Sequence, residues 1–182
     1  MKYILNRLIQ QEQLSKEEAK EALLQISNGE FSDLQIASFL TVFMMRSISV
    51  EELEGFRDAL LELCIPVDFQ GETLMDLCGT GGDGQNTFNV STAASFVVAA
   101  MDVKVAKHGN YGVSSVSGSS NVLEAMGIKF SNEQGFLDSC LEKANIAILH
   151  APLFHPAMKN VAPIRQSLAL KTFFNMLGPM VN

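Results

Sequence analysis

Asp76-Leu-Cys-Gly-Thr-Gly-Gly-Asp-Gly-Gln-Asn-Thr-Phe-Asn-Val-Ser-Thr92 is the stretch on which the reading of this chain turns. It follows a short apolar segment at 73–75 and leads into an apolar, helix-like run from Ala93 to Met101. Glycines at 79, 81, 82 and 84 strip side chains from a turn between strand and helix. Such a turn presents backbone N–H groups at a helix start, where anions bind. Asp83 lies in the same loop, and a bare carboxylate repels phosphate unless a cation or a sugar hydroxyl lies between them. The loop therefore implies a ligand that carries phosphate, ribose and metal together.

Gly79, Gly81 and Gly84 also satisfy the GxGxxG spacing of dinucleotide sites. That reading requires an acidic residue at the end of the next strand, about 20 residues on. Here that strand ends Val105-Ala106-Lys107-His108, and the helix begins several residues late. The dinucleotide reading is set aside. Asn86 to Thr92 adds amide and hydroxyl groups where the helix begins, and Asn89, Ser91 and Thr92 taken singly are ordinary helix-capping types. Grouped behind a glycine-rich approach, they read as phosphate or metal contacts.

A second loop of the same character runs from Lys107 to Ser120. Lys107 leaves a strand end as a point charge suited to a diphosphate. Gly109, Gly112 and Gly118 allow close backbone approach, and the serines supply hydroxyls. A solvated hairpin is the competing reading. His108 suits either acid–base work or positioning. His150 and His155 bracket Ala-Pro-Leu-Phe and either line the site or pack. Arg165 is of the type that clamps a carboxylate in two places, although a lone helix-surface arginine is usually solvated.

Outward from these loops the chain divides. In the first third, Ser15 precedes Glu18, Ser32 precedes Gln35 and Ser49 precedes Glu52, each at capping-box spacing. Apolar residues recur behind them at helical intervals: Ala19, Ala22, Leu23 and Ile26; Ile36, Phe39, Leu40 and Phe43; Leu53, Phe56, Leu60 and Leu63. Asn28-Gly29 ends one helix and Pro66 follows another. From Thr73, strand-like runs at Leu74–Leu77, Val103–Ala106 and Ile146–Leu149 alternate with helical runs at Ser91–Met101, Ser120–Met126 and Asn132–Ala144. The last of these helices is expected to be capped by Ser131 with Gln134. Strand-helix-strand spacing implies a mainly parallel sheet, whose ligands bind at the carboxyl ends of the strands. The tail is helical again, with Thr172 expected to cap a helix ending at Gly178-Pro179.

The expected architecture is thus α/β: a small all-helical domain over 1–66, with 164–182 packing back on it, and an α/β domain over 67–163. A sheet of three clear strands is thin, so more of the fold is expected beyond residue 182. Composition agrees with a globular chain: 182 residues, 47% hydrophobic, 18% charged. A net charge of −7 and a pI near 4.9 argue against nucleic acid or an anionic membrane surface as partner. The charged fraction is low, which suggests that part of the surface is covered by another part of the protein or by another copy. Three scattered cysteines, Cys64, Cys78 and Cys140, form no CxxC pair and read as reduced thiols of a cytoplasmic protein. No apolar run approaches the roughly 20 residues of a membrane span.

Read together, the loops resemble those of the anthranilate phosphoribosyltransferases of tryptophan biosynthesis. The matching blocks are Gly79-Thr80-Gly81-Gly82-Asp83, Asn89-Val90-Ser91-Thr92, Lys107-His108-Gly109-Asn110 and Ser117-Gly118-Ser119. Val122-Leu123-Glu124, His155-Pro156-Ala157-Met158-Lys159 with Pro163 and Arg165, and Phe174-Asn175-Met176-Leu177-Gly178-Pro179 complete them. The resemblance implies a helical domain joined to a nucleoside phosphorylase/phosphoribosyltransferase-like α/β domain, continuing beyond 182 in full-length members. It also implies a transferase, a glycosyltransferase of the pentosyltransferase type, dependent on Mg²⁺ and working as a homodimer through the helical domain.

By the same resemblance, phosphoribosyl pyrophosphate would be held by Gly79, Gly82, Asp83, Thr87, Asn89, Val90, Ser91 and Thr92 in the first loop. In the second, the contacts would be Lys107, His108, Gly109, Asn110, Tyr111, Gly112, Val113, Ser114, Ser115 and Ser119. Ser91 would contribute to one Mg²⁺. Gly79, Asn110 and Arg165 would contact anthranilate, and Lys107, His108 and Arg165 would assist transfer of the phosphoribosyl group to its amine. Two departures stand out. Tyr111 occupies a place where the family commonly has arginine. The family's later Asp-Glu pair for Mg²⁺ has no counterpart in 1–182, so a fragment or one piece of a split enzyme is expected. The competing readings are a truncated or non-catalytic binding module of the same fold, a pyrimidine nucleoside phosphorylase-like enzyme, and a paralogue that binds nucleic acid.

Overall fold

The computed structural model describes residues 1–79, 88–112 and 117–181. They form two compact units, one made of Met1–Cys64 with His155–Val181, the other of Ile65–Phe154. The first unit opens with α1 (Lys2–Ile9), α2 (Lys16–Ser27), α3 (Asp33–Met45) and α4 (Val50–Leu63). Each of the three expected capping boxes is present. Ser15, Ser32 and Ser49 accept from the backbone of Glu18, Gln35 and Glu52 at 3.2, 3.4 and 3.1 Å, and the side chains return the bond. The helices start where these serines satisfy donors that a helix cannot satisfy itself.

The apolar faces meet in one core with the returning segment, whose helices span Ala162–Leu168 and Phe174–Leu177. At its centre Phe39, Phe43, Phe56, Phe173 and Phe174 interlock. Phe56 stacks on Phe173 at 4.5 Å, and Phe39 and Phe43 meet edge to face at 4.9 Å. Such pairs add about 0.5–1.5 kcal/mol each beyond area burial. Gly55 lets α4 approach α2: a methyl there would lie 2.2 Å from the Lys16 carbonyl oxygen.

One ion pair ties three helix ends together. Glu52 is fully buried and Arg46, the C-cap of α3, nearly so. The Glu52 carboxylate binds both terminal nitrogens of Arg46 and also accepts the backbone N–H of Leu14 and Ser49, each at 2.9 Å. The guanidinium lies 4.5 Å over the Phe43 ring. Burial alone would raise the Glu52 pKa, but these donors outweigh it and hold the carboxyl below its ordinary value.

The second unit contains α5 (Val90–Ala100), β1 (Val105–Gly109), α6 (Ser119–Ala125), α7 (Gln134–Ala144) and β2 (Ile146–His150). The strands pair in parallel, Val105 opposite Ile146 through Gly109 opposite His150. Along β2 the side chains alternate. Ile146 and Ile148 join Ala99, Phe96 and Val98 of α5, whereas Ala147 and Leu149 join Leu137 and Leu141 of α7. The sheet is therefore covered on both faces, as a parallel sheet requires. Asn145 ends α7 in the left-handed conformation, φ 54°, and turns the chain straight into β2.

Three local expectations give way. Leu74–Leu77 does not run as a strand; it makes a single parallel bridge, Met75 with Val105. Ser131 and Gln134 form no capping box. Gln134 reaches back to Asp68, donating to its carbonyl at 2.7 Å and accepting its N–H at 3.2 Å, and α7 starts at Gln134 with Glu133 as N-cap. Thr172 does not cap with its side chain; its own N–H is bound by Asn175 Oδ1 at 3.1 Å.

Replacing Glu52 by Gln leaves Arg46 buried without its counter-charge, at an expected cost of about 3 kcal/mol near neutral pH. A carboxyl held below its ordinary pKa contributes stability above that value, 4.5, which is lost as pH falls through the depressed one. Urea unfolding followed by circular dichroism should therefore show the gap between the unsubstituted and Glu52→Gln chains narrowing in acid. A gap that stays constant would remove the ion pair from this role.

Candidate active site

β1 carries Val-Ala-Lys-His-Gly to its carboxyl end, so Lys107, His108 and Gly109 emerge where ligands of parallel sheets bind. Lys107 is 2% exposed and His108 8%. The Lys107 ammonium donates to the Leu77 carbonyl at 3.0 Å, which leaves two of its three N–H donors for other acceptors. Burial lowers its pKa, while the carboxylate of Asp76 pulls the other way. Asp76 Oδ1 accepts the His108 backbone N–H at 3.3 Å. Desolvation raises the Asp76 pKa, and the His108 N–H and Lys107 oppose that rise. Asp76 opens the quoted stretch but was not among the expected site residues. Its signal was an acidic residue at a strand end, three places before the first loop glycine.

Gly79, the last described residue of the first loop, adjoins the start of α5: a methyl on Gly79 would come 3.3 Å from Ser91 Oγ. Asn89 is the N-cap of α5 but makes no side-chain capping bond, and Val90 is the first helical residue. Thr92 is buried, 4% exposed. Gly82, Asp83 and Thr87 lie outside the described residues, as do Val113, Ser114 and Ser115.

The two sides of the second loop are drawn together by α6. Ser119 Oγ accepts the Asn110 N–H at 3.2 Å, and the Asn110 carbonyl accepts from Ser120 N at 3.1 Å. Asn121 Oδ1 accepts both Gly112 N, at 3.0 Å, and Gly118 N, at 2.9 Å. The Tyr111 hydroxyl donates to Glu124 Oε1 at 2.7 Å, which raises its pKa. Its ring meets His150 edge-on at 4.9 Å. His150 stacks on Phe130 at 4.3 Å and shares a 2.8 Å hydrogen bond with Ser120 through Nδ1; burial lowers its pKa. Tyr111, Glu124, Phe130 and His150 line an open cleft of about 700 Å³. His150 is thus a packed and anchored residue of the α/β unit, and His155 is a buried residue of the helical unit.

Arg165 also belongs to the helical unit. It donates to Asn175 Oδ1 at 3.2 Å and lies 5.2 Å over the Phe174 ring. Its Nε has no hydrogen-bond partner among the described residues, and burial lowers its pKa. A desolvated guanidinium with donors to spare suits a carboxylate. Among the described residues no group of three or more His, Cys, Asp or Glu is placed to hold a metal. No helix among them is long and apolar enough to cross a membrane.

A helical bundle followed by a parallel α/β layer with two glycine-rich loops defines a class. Residues 2–64 match the model of the glycosyl transferase family helical bundle domain, and residues 71–182 match that of the glycosyl transferase family a/b domain. The chain belongs to this glycosyl transferase family. Within it, the chain is 70% identical over 182 residues to the anthranilate phosphoribosyltransferase of Christiangramia forsetii and 57% identical to that of Bacteroides thetaiotaomicron. All of this chain and 55% of each relative are covered, so it spans about half the length of the curated relatives it matches. Among solved structures, it is similar to anthranilate phosphoribosyltransferase from Thermus thermophilus. The TM-score is 0.84 at 38% identity, covering 98% of this chain and 54% of that one. The enzyme from Saccharomyces cerevisiae in complex with PRPP and Mg gives 0.85 at 30% identity, covering 97% and 53%.

Gly118 sits where the two sides of the second loop touch. A methyl there would fall 2.2 Å from Gly112 N and 2.6 Å from the Asn110 carbonyl oxygen. Gly118→Ala is expected to cost about 1–3 kcal/mol and to speed amide exchange at Gly112 and Gly118. Unchanged exchange at both would show that the loop is not held by this closure.

Proposed function

We propose that this chain supplies the phosphoribosyl pyrophosphate-holding part of an anthranilate phosphoribosyltransferase, acting in tryptophan biosynthesis. The observation that carries the reading is the buried Lys107 ammonium at the carboxyl end of β1, with one donor on Leu77 and two left for a diphosphate. Two contacts support the reading, each between residues that the resemblance marks for this ligand: Gly79 adjoins Ser91 across the first loop, and Asn110 bonds Ser119 across the second. Thr87, Gly82, Asp83 and Val113 to Ser115 join them in the reading.

In the reaction, the bond from ribose C1 to pyrophosphate breaks, the anthranilate nitrogen bonds to C1, and the amine proton leaves. Lys107 stabilises negative charge on the departing pyrophosphate, an electrostatic contribution already in place before the bond breaks. His108 and Asn110 position the ligand, and no general base is assigned, because the amine proton becomes acidic only as the new bond forms. Ser91 offers a hard oxygen of the type Mg²⁺ accepts alongside phosphate oxygens. When bound, Mg²⁺ would neutralise part of the diphosphate charge. Arg165 faces the anthranilate carboxylate in this reading; its desolvated, incompletely bonded guanidinium supports that.

Pairing of two copies through the helical unit is part of the same reading. It is supported by exposed Tyr3 and Ile9 of α1 and Leu34 and Met45 of α3, and sedimentation of a Leu34→Asp chain tests it. We place the protein in the cytoplasm. A binding module of the same fold without turnover is the second reading.

The experiment is loss of anthranilate fluorescence on adding phosphoribosyl pyrophosphate and Mg²⁺, with calorimetry of phosphoribosyl pyrophosphate binding alongside. Lys107→Ala should weaken that binding about tenfold or more, the scale of a charged hydrogen bond, and leave anthranilate binding nearly unchanged. Arg165→Ala should do the reverse. Because burial lowers the Lys107 pKa, binding should fall off with rising pH before the ordinary lysine value of 10.5. Binding without consumption by a folded chain selects the binding-module reading, and absence of Mg²⁺-dependent binding overturns both.

A further inference from the structure

The interruption of the Met75 bridge has an identifiable cause. Met75 pairs in parallel with Val105 through two bonds, Met75 N to the Lys104 carbonyl at 2.9 Å and Ala106 N to the Met75 carbonyl at 3.0 Å. A continuing parallel ladder would join Leu77 N to the Ala106 carbonyl and then His108 N to the Leu77 carbonyl. Side chains take both partners of the second of these bonds instead. Asp76 Oδ1 accepts the His108 N–H, and the Lys107 ammonium takes the Leu77 carbonyl. The two substitutions accommodate each other: with His108 N bound to Asp76, the Leu77 carbonyl at the mouth of the candidate site is left to Lys107 Nζ.

We propose that Asp76 is a positioning residue that withholds the His108 N–H from Leu77 and so keeps the Leu77 carbonyl as the anchor of the Lys107 ammonium. Its carboxylate also offsets the cost of holding that ammonium out of water. Asp76 acts through Lys107 rather than on the ligand. The inference rests on the assignment of Lys107 to the diphosphate for its functional part and on the hydrogen bonds alone for its structural part.

The test is a double-mutant cycle read by calorimetry with phosphoribosyl pyrophosphate and Mg²⁺. Asp76→Ala is expected to weaken binding about tenfold, with anthranilate binding unchanged. Asp76→Asn, which keeps an oxygen acceptor for His108, should recover most of the loss. In the Lys107→Ala background Asp76→Ala should add little further. Independent, multiplicative losses would overturn the proposal, as would full affinity in Asp76→Ala. If the unsubstituted chain binds no phosphoribosyl pyrophosphate, the diphosphate reading fails, and the structural part is judged by nitrogen-15 NMR of the Lys107 ammonium. Its hydrogen-bonded signal should be lost in Asp76→Ala and kept in Asp76→Asn; persistence in Asp76→Ala overturns it.

Discussion

An ammonium held almost entirely out of water is the constraint around which the α/β unit is arranged. Lys107 is 2% exposed, and an unpartnered buried charge would either lose its proton or force the structure open. The Leu77 carbonyl and the nearby Asp76 carboxylate supply a fixed environment of opposite polarity. Meeting that requirement ends the pairing between the segment at 74–77 and β1. Cys78 and Gly79, which follow Leu77, lie outside the sheet.

The helical unit solves a related problem differently. Its buried charge, Glu52, is surrounded on every oxygen by donors from three separate helix ends. Full satisfaction makes that group rigid and structural. Arg46, its partner, keeps an Nε without a hydrogen-bond partner among the described residues but has its counter-charge in Glu52. Lys107 of the α/β unit and Arg165 of the helical unit also retain donors with no assigned acceptor among the described residues, and neither is hydrogen-bonded to a carboxylate there. A desolvated cation without a paired anion is what an anionic ligand can complete.

How much of this was legible in the sequence depended on range. The capping boxes at Ser15, Ser32 and Ser49 were readable because both partners lie within four residues and no distant group competes. The strands at 105–109 and 146–150 were readable to within a few residues from apolar runs flanked by glycine and polar turns. Gln134 matches a capping box equally well in sequence, yet it binds Asp68, 66 residues away. Thr172 lost its expected capping role to Asn175. The Leu74–Leu77 run has the composition of a strand, but its own Asp76 and Lys107 of the neighbouring strand take the partners that would continue it. Lys107 and Asn110 were marked from the sequence. Asp76, and the contact of Tyr111 with Glu124 and His150, needed the fold, because no spacing rule relates residues 76 and 108 or 111 and 150.

Net charge would have pointed away from an anionic ligand, since the chain carries −7 overall. Exposed charges more than about 8 Å apart are largely screened at physiological ionic strength, whereas a buried ammonium and oriented backbone N–H groups act over one hydrogen-bond length with little screening. The acidic excess governs solubility and discourages nucleic acid. In the proposed reading, anion recognition is set instead by a few donors whose partners the fold has fixed. Asp76 is the sharpest instance, a carboxylate beside a candidate diphosphate site whose proposed effect on binding is favourable. It does not face the ligand as a bare charge; it is engaged by the His108 N–H and shapes the field around Lys107. The sign of a charge matters less here than the group to which it is already committed.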